Sequence, residues 1–175
     1  MRTFIALELP QEFVDQTAQL ARALRSSVHG RFMKPETYHL TLAFLGEIGE
    51  SEVASAMAAL DSISELPAVP LEIDGLGSFG RKREHTLYLA LQRVPEAISL
   101  AEELRNDLSS RDVAFDAKKF VPHITLARRA QLPQDDFGSL PFPTSSMATR
   151  VTLFKSILSQ EGATYKPLYS VELQQ

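Results

Sequence analysis

Two tetrapeptides, His39-Leu40-Thr41-Leu42 and His123-Ile124-Thr125-Leu126, place the residue types best suited to chemistry in one repeated frame. Residues two apart on a strand share a face, so each tetrapeptide presents an imidazole beside a hydroxyl. Brought together, the two give a pair of histidines and a pair of threonines. Imidazoles titrate near neutrality, so one protonated and one neutral ring serve as general acid and general base. The hydroxyls donate hydrogen bonds to oxygens held between them. That set suits phosphodiester chemistry without a metal. The chain has four histidines, and the other two, His29 and His85, lack a threonine two residues on; both are expected at the surface.

A metal is the obvious competitor for paired histidines. A catalytic zinc takes three protein ligands, commonly with a carboxylate or a third histidine. Threonine is a poor zinc ligand, and Glu36 and Asp116, the acids preceding the signatures, fit no familiar ligand spacing. No metal and no cofactor is therefore expected.

The elements that must carry these signatures follow from periodicity and from proline. Residues 3–9 read as a first strand. Pro10 then opens a helix, Gln11 to Arg25, with apolar residues near a 3.6 period, acids early and arginines late, as the helix dipole favours. The segment ends at His29-Gly30, and a strand from Met33 to Leu45 carries the first signature. Ser51 is expected to cap a second helix, Glu52 to Ile63. Leu71 to Ile73 and Thr86 to Leu91 read as strands. Pro95 repeats the earlier device and opens a helix from Glu96 to Ser109, followed by the second signature strand, Phe120 to Arg128. Residues 130–144, with three prolines and a glycine, read as a loop, and strands at Thr149 to Ser159 and Tyr165 to Leu173 finish the chain. Strand, proline-opened helix, His-x-Thr strand thus occurs twice. The expected architecture is α+β: two antiparallel-rich sheets with helices packed outside and a cleft between the signature strands, all within one domain, 1–175.

Composition narrows the class. A chain of 175 residues with 44% hydrophobic and 23% charged residues is ordinary for a globular domain. It holds no apolar run of the length a bilayer requires and no cysteine, so neither a membrane partner, a disulfide framework nor a thiolate nucleophile is expected, and the cytoplasm is the default compartment. A net charge of −4 argues against a protein that coats long nucleic acid, while Arg81-Lys82-Arg83, Lys118-Lys119 and Arg128-Arg129 leave local patches for a short terminus.

The strings Tyr-His-Leu-Thr-Leu-Ala-Phe-Leu-Gly-Glu and Val-Pro-His-Ile-Thr-Leu-Ala-Arg, with the opening Arg-Thr-Phe-Ile-Ala-Leu-Glu-Leu-Pro, resemble the 2H phosphoesterase superfamily, and within it the RNA 2′,3′-cyclic phosphodiesterases, also named 2′-5′ RNA ligases. The resemblance runs from Phe4 to the final strand. It implies a bilobal α+β fold with a pseudo-two-fold axis through the cleft between the lobes, and hydrolysis of a terminal 2′,3′-cyclic phosphate, on an RNA 3′ end or a nucleotide, to a 2′-phosphomonoester; a monomer is expected. It further implies His39 as the general acid at O3′, His123 as the general base on water, and Thr41 and Thr125 on the non-bridging oxygens. Arg128 would lie near the phosphate or over the base. Phe44 matches an aromatic position that stacks on the base, yet strict alternation sends it to the face opposite His39, so either a bulge or strand end turns it into the cleft or it belongs to the core. Reverse 2′-5′ ligation would use the same groups. Two other readings stand beside this one: a 2H enzyme acting on a 2′-5′ oligonucleotide or ADP-ribose cyclic phosphate, and an RNA-end binding module without turnover.

Overall fold

The computed structural model describes residues 1–80 and 84–175. The basic cluster Arg81-Lys82-Arg83 lies outside the described residues. Among them are three helices and three antiparallel sheets. The first half runs β1 (Arg2–Leu7), α1 (Gln11–Leu24), β2 (His29–Phe32), a 3-10 turn (Pro35–Thr37), β3 (Leu40–Glu47) and α2 (Glu50–Ile63). The second runs β4 (Val69–Leu71), β5 (Ile73–Phe79), β6 (His85–Leu91), α3 (Pro95–Ser110), β7 (His123–Gln131), β8 (Ser146–Ala148), β9 (Arg150–Ser159) and β10 (Gly162–Glu172).

The sheets set the two signatures in matching places. One has the order β10-β9-β1-β3, the other β2-β7-β6-β5, and every neighbouring pair is antiparallel. In each, a strand passes through a proline-opened helix and returns antiparallel beside itself, β1-α1-β3 and β6-α3-β7. Pro10 caps α1 and Pro95 is its first-turn counterpart in α3, where a missing N–H costs nothing. The helices bury one apolar stripe each: Phe13, Leu20 and Leu24 on α1, Ala56, Leu60 and Ile63 on α2, and Leu100, Leu104 and Leu108 on α3. These meet the leucine and isoleucine faces of the strands, and the opposite strand faces, half-buried, look into the cleft.

Several local expectations are corrected. Residues 33–39 are not strand: Pro35 starts a 3-10 turn, because its fixed φ suits a turn and it offers no N–H to a ladder. The cap of α2 is Gly49, whose N–H donates to Glu52 Oε1 at 3.1 Å, and Ser51 lies inside the helix. His29-Gly30 continues into β2, a strand without alternation that exists because it covers the outer edge of β7. A third sheet, β4-β8, joins two segments of three residues each, too short to show a period.

Candidate active site

Each signature histidine is held by its own backbone. His39 Nδ1 lies 2.7 Å from Thr37 O, and His123 Nδ1 lies 2.6 Å from Val121 O. A carbonyl only accepts, so both rings carry a proton on Nδ1 and leave Nε2 for the cleft. The same contact, to the carbonyl two residues upstream, occurs in both halves. Aromatic rings from each sheet fix the ring planes: His39 packs against Phe4 and Tyr165, with centroids 4.7 and 5.3 Å away, and His123 against Phe79 and Tyr88, both at 5.2 Å. Thr41 Oγ1 sits 2.9 Å from His39 Nε2 and donates to it when that ring is neutral.

Beyond the threonines both strands break step. In the pairing of β3 with β1, Ala43 faces Ile5 and Thr41 faces Ala6, so Leu42 has no partner. In the pairing of β7 with β6, Ala127 faces Leu87 and Thr125 faces Tyr88, so Leu126 has none. Each is a β-bulge at the last residue of the signature, and each leaves two successive buried residues, Leu42-Ala43 and Leu126-Ala127. The bulge advances the facing by one residue and turns Phe44 and Arg128 toward the cleft that His39 and His123 already line. The condition set by strict alternation for Phe44 is therefore met. The carbonyls of the two bulged leucines are each bonded: Met33 N–H donates to Leu126 O at 2.8 Å, and Arg105 Nε, reaching from α3, donates to Leu42 O at 3.0 Å.

The cleft has a volume of about 620 Å³ and brings together all six candidate residues, His39, Thr41, Phe44, His123, Thr125 and Arg128. Sequence reasoning missed its other walls: Arg2, Arg31 and Lys34, and Ser156, Leu158 and Tyr165 from the β9–β10 hairpin. Isolated basic residues offer no local signal; only the strands read at residues 3–9, Thr149 to Ser159 and Tyr165 to Leu173 pointed to a sheet there. Lys118 and Lys119 lie elsewhere, with Lys118 Nζ 3.8 Å from Asp116, and Arg129 is exposed. His29 is exposed as expected, whereas His85 is half-buried on β6; neither lines the cleft.

Four cations, Arg2, Arg31, Lys34 and Arg128, face one acid, Glu161, and among the described residues none of the four cations lies within ion-pairing distance of a carboxylate. A chain of net charge −4 thus concentrates positive potential at one place, which gathers anions. Burial lowers the pKa of His39 to about 4, against the raising effect of its bond to Thr37, with the His123 and Arg128 charges adding to the depression. Burial also lowers His123, against its bond to Val121 and with Arg128 adding. Both rings are neutral at pH 7 in the empty cleft. An entering phosphate anion opposes these effects and returns protons to them. Among the described residues no three His, Cys, Asp or Glu side chains converge on a common point that would hold a metal.

Paired imidazoles, paired hydroxyls and unpaired cations in one cleft between two antiparallel lobes define a phosphoesterase. The family model described as LigT like Phosphoesterase matches residues 7–88 and 91–165, and the chain belongs to that family. It is 32% identical to the RNA 2′,3′-cyclic phosphodiesterase of Thermotoga maritima over 99% of this chain and 96% of that one. Its similarity to the Escherichia coli protein of the same name is 30% identity over 95% of this chain and 93% of the other. The crystal structure of E. coli LigT complexed with 3′-AMP superposes with a TM-score of 0.80 at 28% identity, covering 99% of this chain and 98% of that one. Among the described residues no helix is long and apolar enough to cross a membrane.

Proposed function

We propose that this chain hydrolyses a 2′,3′-cyclic phosphate, at an RNA 3′ end or on a nucleotide, to the 2′-phosphomonoester without a metal. The observation that carries the reading is the matched pair of imidazoles, each with Nδ1 spent on backbone and Nε2 left for one cleft, each with its threonine alongside. The names of the relatives and the mononucleotide in E. coli LigT support the substrate class.

In this reading His123 Nε2 takes a proton from water as its oxygen bonds to phosphorus. The P–O3′ bond breaks, and O3′ leaves with the proton from His39 Nε2; the phosphate stays on O2′. Burial holds His39 neutral in the empty cleft, and the negative charge of the entering phosphate raises its affinity for the proton it delivers. Thr41, released from His39 once Nε2 is protonated, and Thr125 donate to the non-bridging oxygens as charge builds there. Arg128 balances the phosphate and Phe44 offers a face to the base. The reverse reaction, a 2′-phosphate joining a 5′-hydroxyl, uses the same groups when that hydroxyl displaces the water. Residues from Arg2 to Tyr165 of one chain complete the cleft, which supports action as a single bilobal domain, 1–175, and as a monomer.

The test is incubation with adenosine 2′,3′-cyclic phosphate in excess EDTA. Conversion to 2′-AMP alone is expected; 3′-AMP overturns the assignment of O3′ as leaving group, and absence of turnover on this substrate and on a cyclic-ended RNA overturns the reading. The two histidines are separated by a substrate with sulfur at the 3′ bridging position, whose thiolate leaves without a proton. It should rescue His39→Ala and not His123→Ala.

A further inference from the structure

We infer that the cleft holds a second phosphate subsite, formed by Arg31 and Lys34, for the backbone phosphodiester on the 5′ side of the terminal nucleotide. The inference rests on the cyclic phosphodiesterase reading and deepens it, from a cyclic phosphate to a cyclic phosphate at the end of an RNA chain.

Arg31 lies on β2 directly opposite Arg128 on β7. Opposed residues of an antiparallel pair share a face with Cβ atoms about 5 Å apart, and like charges there repel. Both side chains line the cleft, and among the described residues no carboxylate lies within ion-pairing distance of either. A sheet that keeps two guanidinium groups opposed and unneutralised is arranged for anions. Arg128 shares β7 with His123 and Thr125 and is turned into the cleft beside them by the bulge, so it serves the reacting phosphate, whose single charge leaves Arg31 for a second anion. Arg31 stands one strand farther toward the sheet edge, about 4.8 Å away.

The rest of the wall supports a built position. Arg31 crosses to the opposite lobe and lies against Gly162 of the β9–β10 hairpin, where an added Cβ would come 3.0 Å from Nη2. Gly162 has φ of +112°, a conformation that side chains rarely adopt, so the hairpin turn that meets Arg31 calls for glycine. Lys34, two residues beyond β2 and three from Arg31 in the chain, lines the same cleft. A guanidinium fork grips two phosphoryl oxygens and an ammonium adds a point charge, which fits the two non-bridging oxygens of a phosphodiester.

The experiment compares adenosine 2′,3′-cyclic phosphate, its 5′-phosphorylated form, and the dinucleotide ApA ending in the cyclic phosphate. The subsite predicts kcat/KM about 10-fold or more higher for the dinucleotide than for the nucleoside, carried mainly by KM, as a charge-assisted contact is worth. It also predicts a log–log salt slope steeper by about 0.7 for the dinucleotide, one phosphate contact on a single strand. In Arg31→Ala/Lys34→Ala both differences should collapse toward none, while Lys119→Ala, an exposed cation outside the cleft, should keep them. Equal values for nucleoside and dinucleotide in the unmodified protein overturn the subsite. The 5′-monophosphate presents the same phosphoryl oxygens and should show most of the gain; a gain confined to the dinucleotide overturns the phosphate subsite in favour of contacts to the added nucleoside. If nothing is turned over, the hydrolase reading fails and the subsite is still decided by binding: the dinucleotide ApA bearing a 2′-phosphate should bind about 10-fold tighter than 2′-AMP, and equal affinities refute it.

Discussion

Phe44 and Arg128 occupy one place in two related strands: each follows the Leu-Ala doublet of its signature, and each is turned into the cleft by a bulge at that leucine. The halves therefore put different chemistry at equivalent points, an aromatic face on one side and a guanidinium on the other. Arg2, which also lines the cleft, lies over the Phe44 ring, 5.0 Å from its centroid.

Removing Arg128 should move the titration of the free enzyme. Its charge lowers the pKa of both histidines, so Arg128→Ala raises them and shifts the acid limb of the kcat/KM profile to higher pH, alongside a loss in rate. Phe44→Ala should leave that limb in place and raise KM, about 10-fold or more, for loss of one stacked base. Identical pH profiles in the Arg128 variant and the unmodified protein would refute the electrostatic part.

Arg105 holds the first bulge from behind, donating to Leu42 O at 3.0 Å and Lys118 O at 2.8 Å. Arg105→Met should cost about 1.5–3 kcal/mol of stability, because a buried strand carbonyl loses a charged donor. Since Phe44 depends on that bulge, KM should rise more than kcat falls. Denaturant unfolding and steady-state kinetics on the same sample check both.

Gly77 is pressed by the Tyr88 ring, and a Cβ placed there would meet the ring well inside contact distance. Gly77→Ala must tilt Tyr88, which packs against His123. The expected cost is about 1–3 kcal/mol with a fall in kcat. Gly77→Ala combined with Tyr88→Leu should recover stability but not the rate, since the ring that holds His123 is gone.

The depressed histidines also make stability depend on pH. His39 titrates near 6.5 unfolded and about 4 folded, so between these values the unfolded chain binds more protons. Its contribution is fully present above pH 6.5 and is lost as pH falls toward 4, to a limit of about 3 kcal/mol. His39→Asn should flatten that decline. Urea unfolding of both proteins at pH 7, 5.5 and 4.5 measures it, and parallel curves would refute the assignment.

Residue type and spacing alone determined the doubled strand, proline-opened helix, His-x-Thr unit, because strand and helix periods and proline's fixed φ are local properties. They also placed the imidazole and hydroxyl of each signature on a common face. The repeated Leu-Ala doublet, two small steps of apolar character where polar alternation was due, was the available sign of the bulges. The edge strand β2 was not legible, since its reason for existing is the unpaired outer edge of β7 rather than any pattern in His29-Gly30-Arg31-Phe32. The cations Arg2, Arg31 and Lys34 were likewise scattered single residues until the sheets faced one another. Only the tertiary structure decided that both Nε2 atoms share a cleft and that burial holds them neutral, because desolvation and the summed field depend on what lies near in space, not on what lies near in the chain.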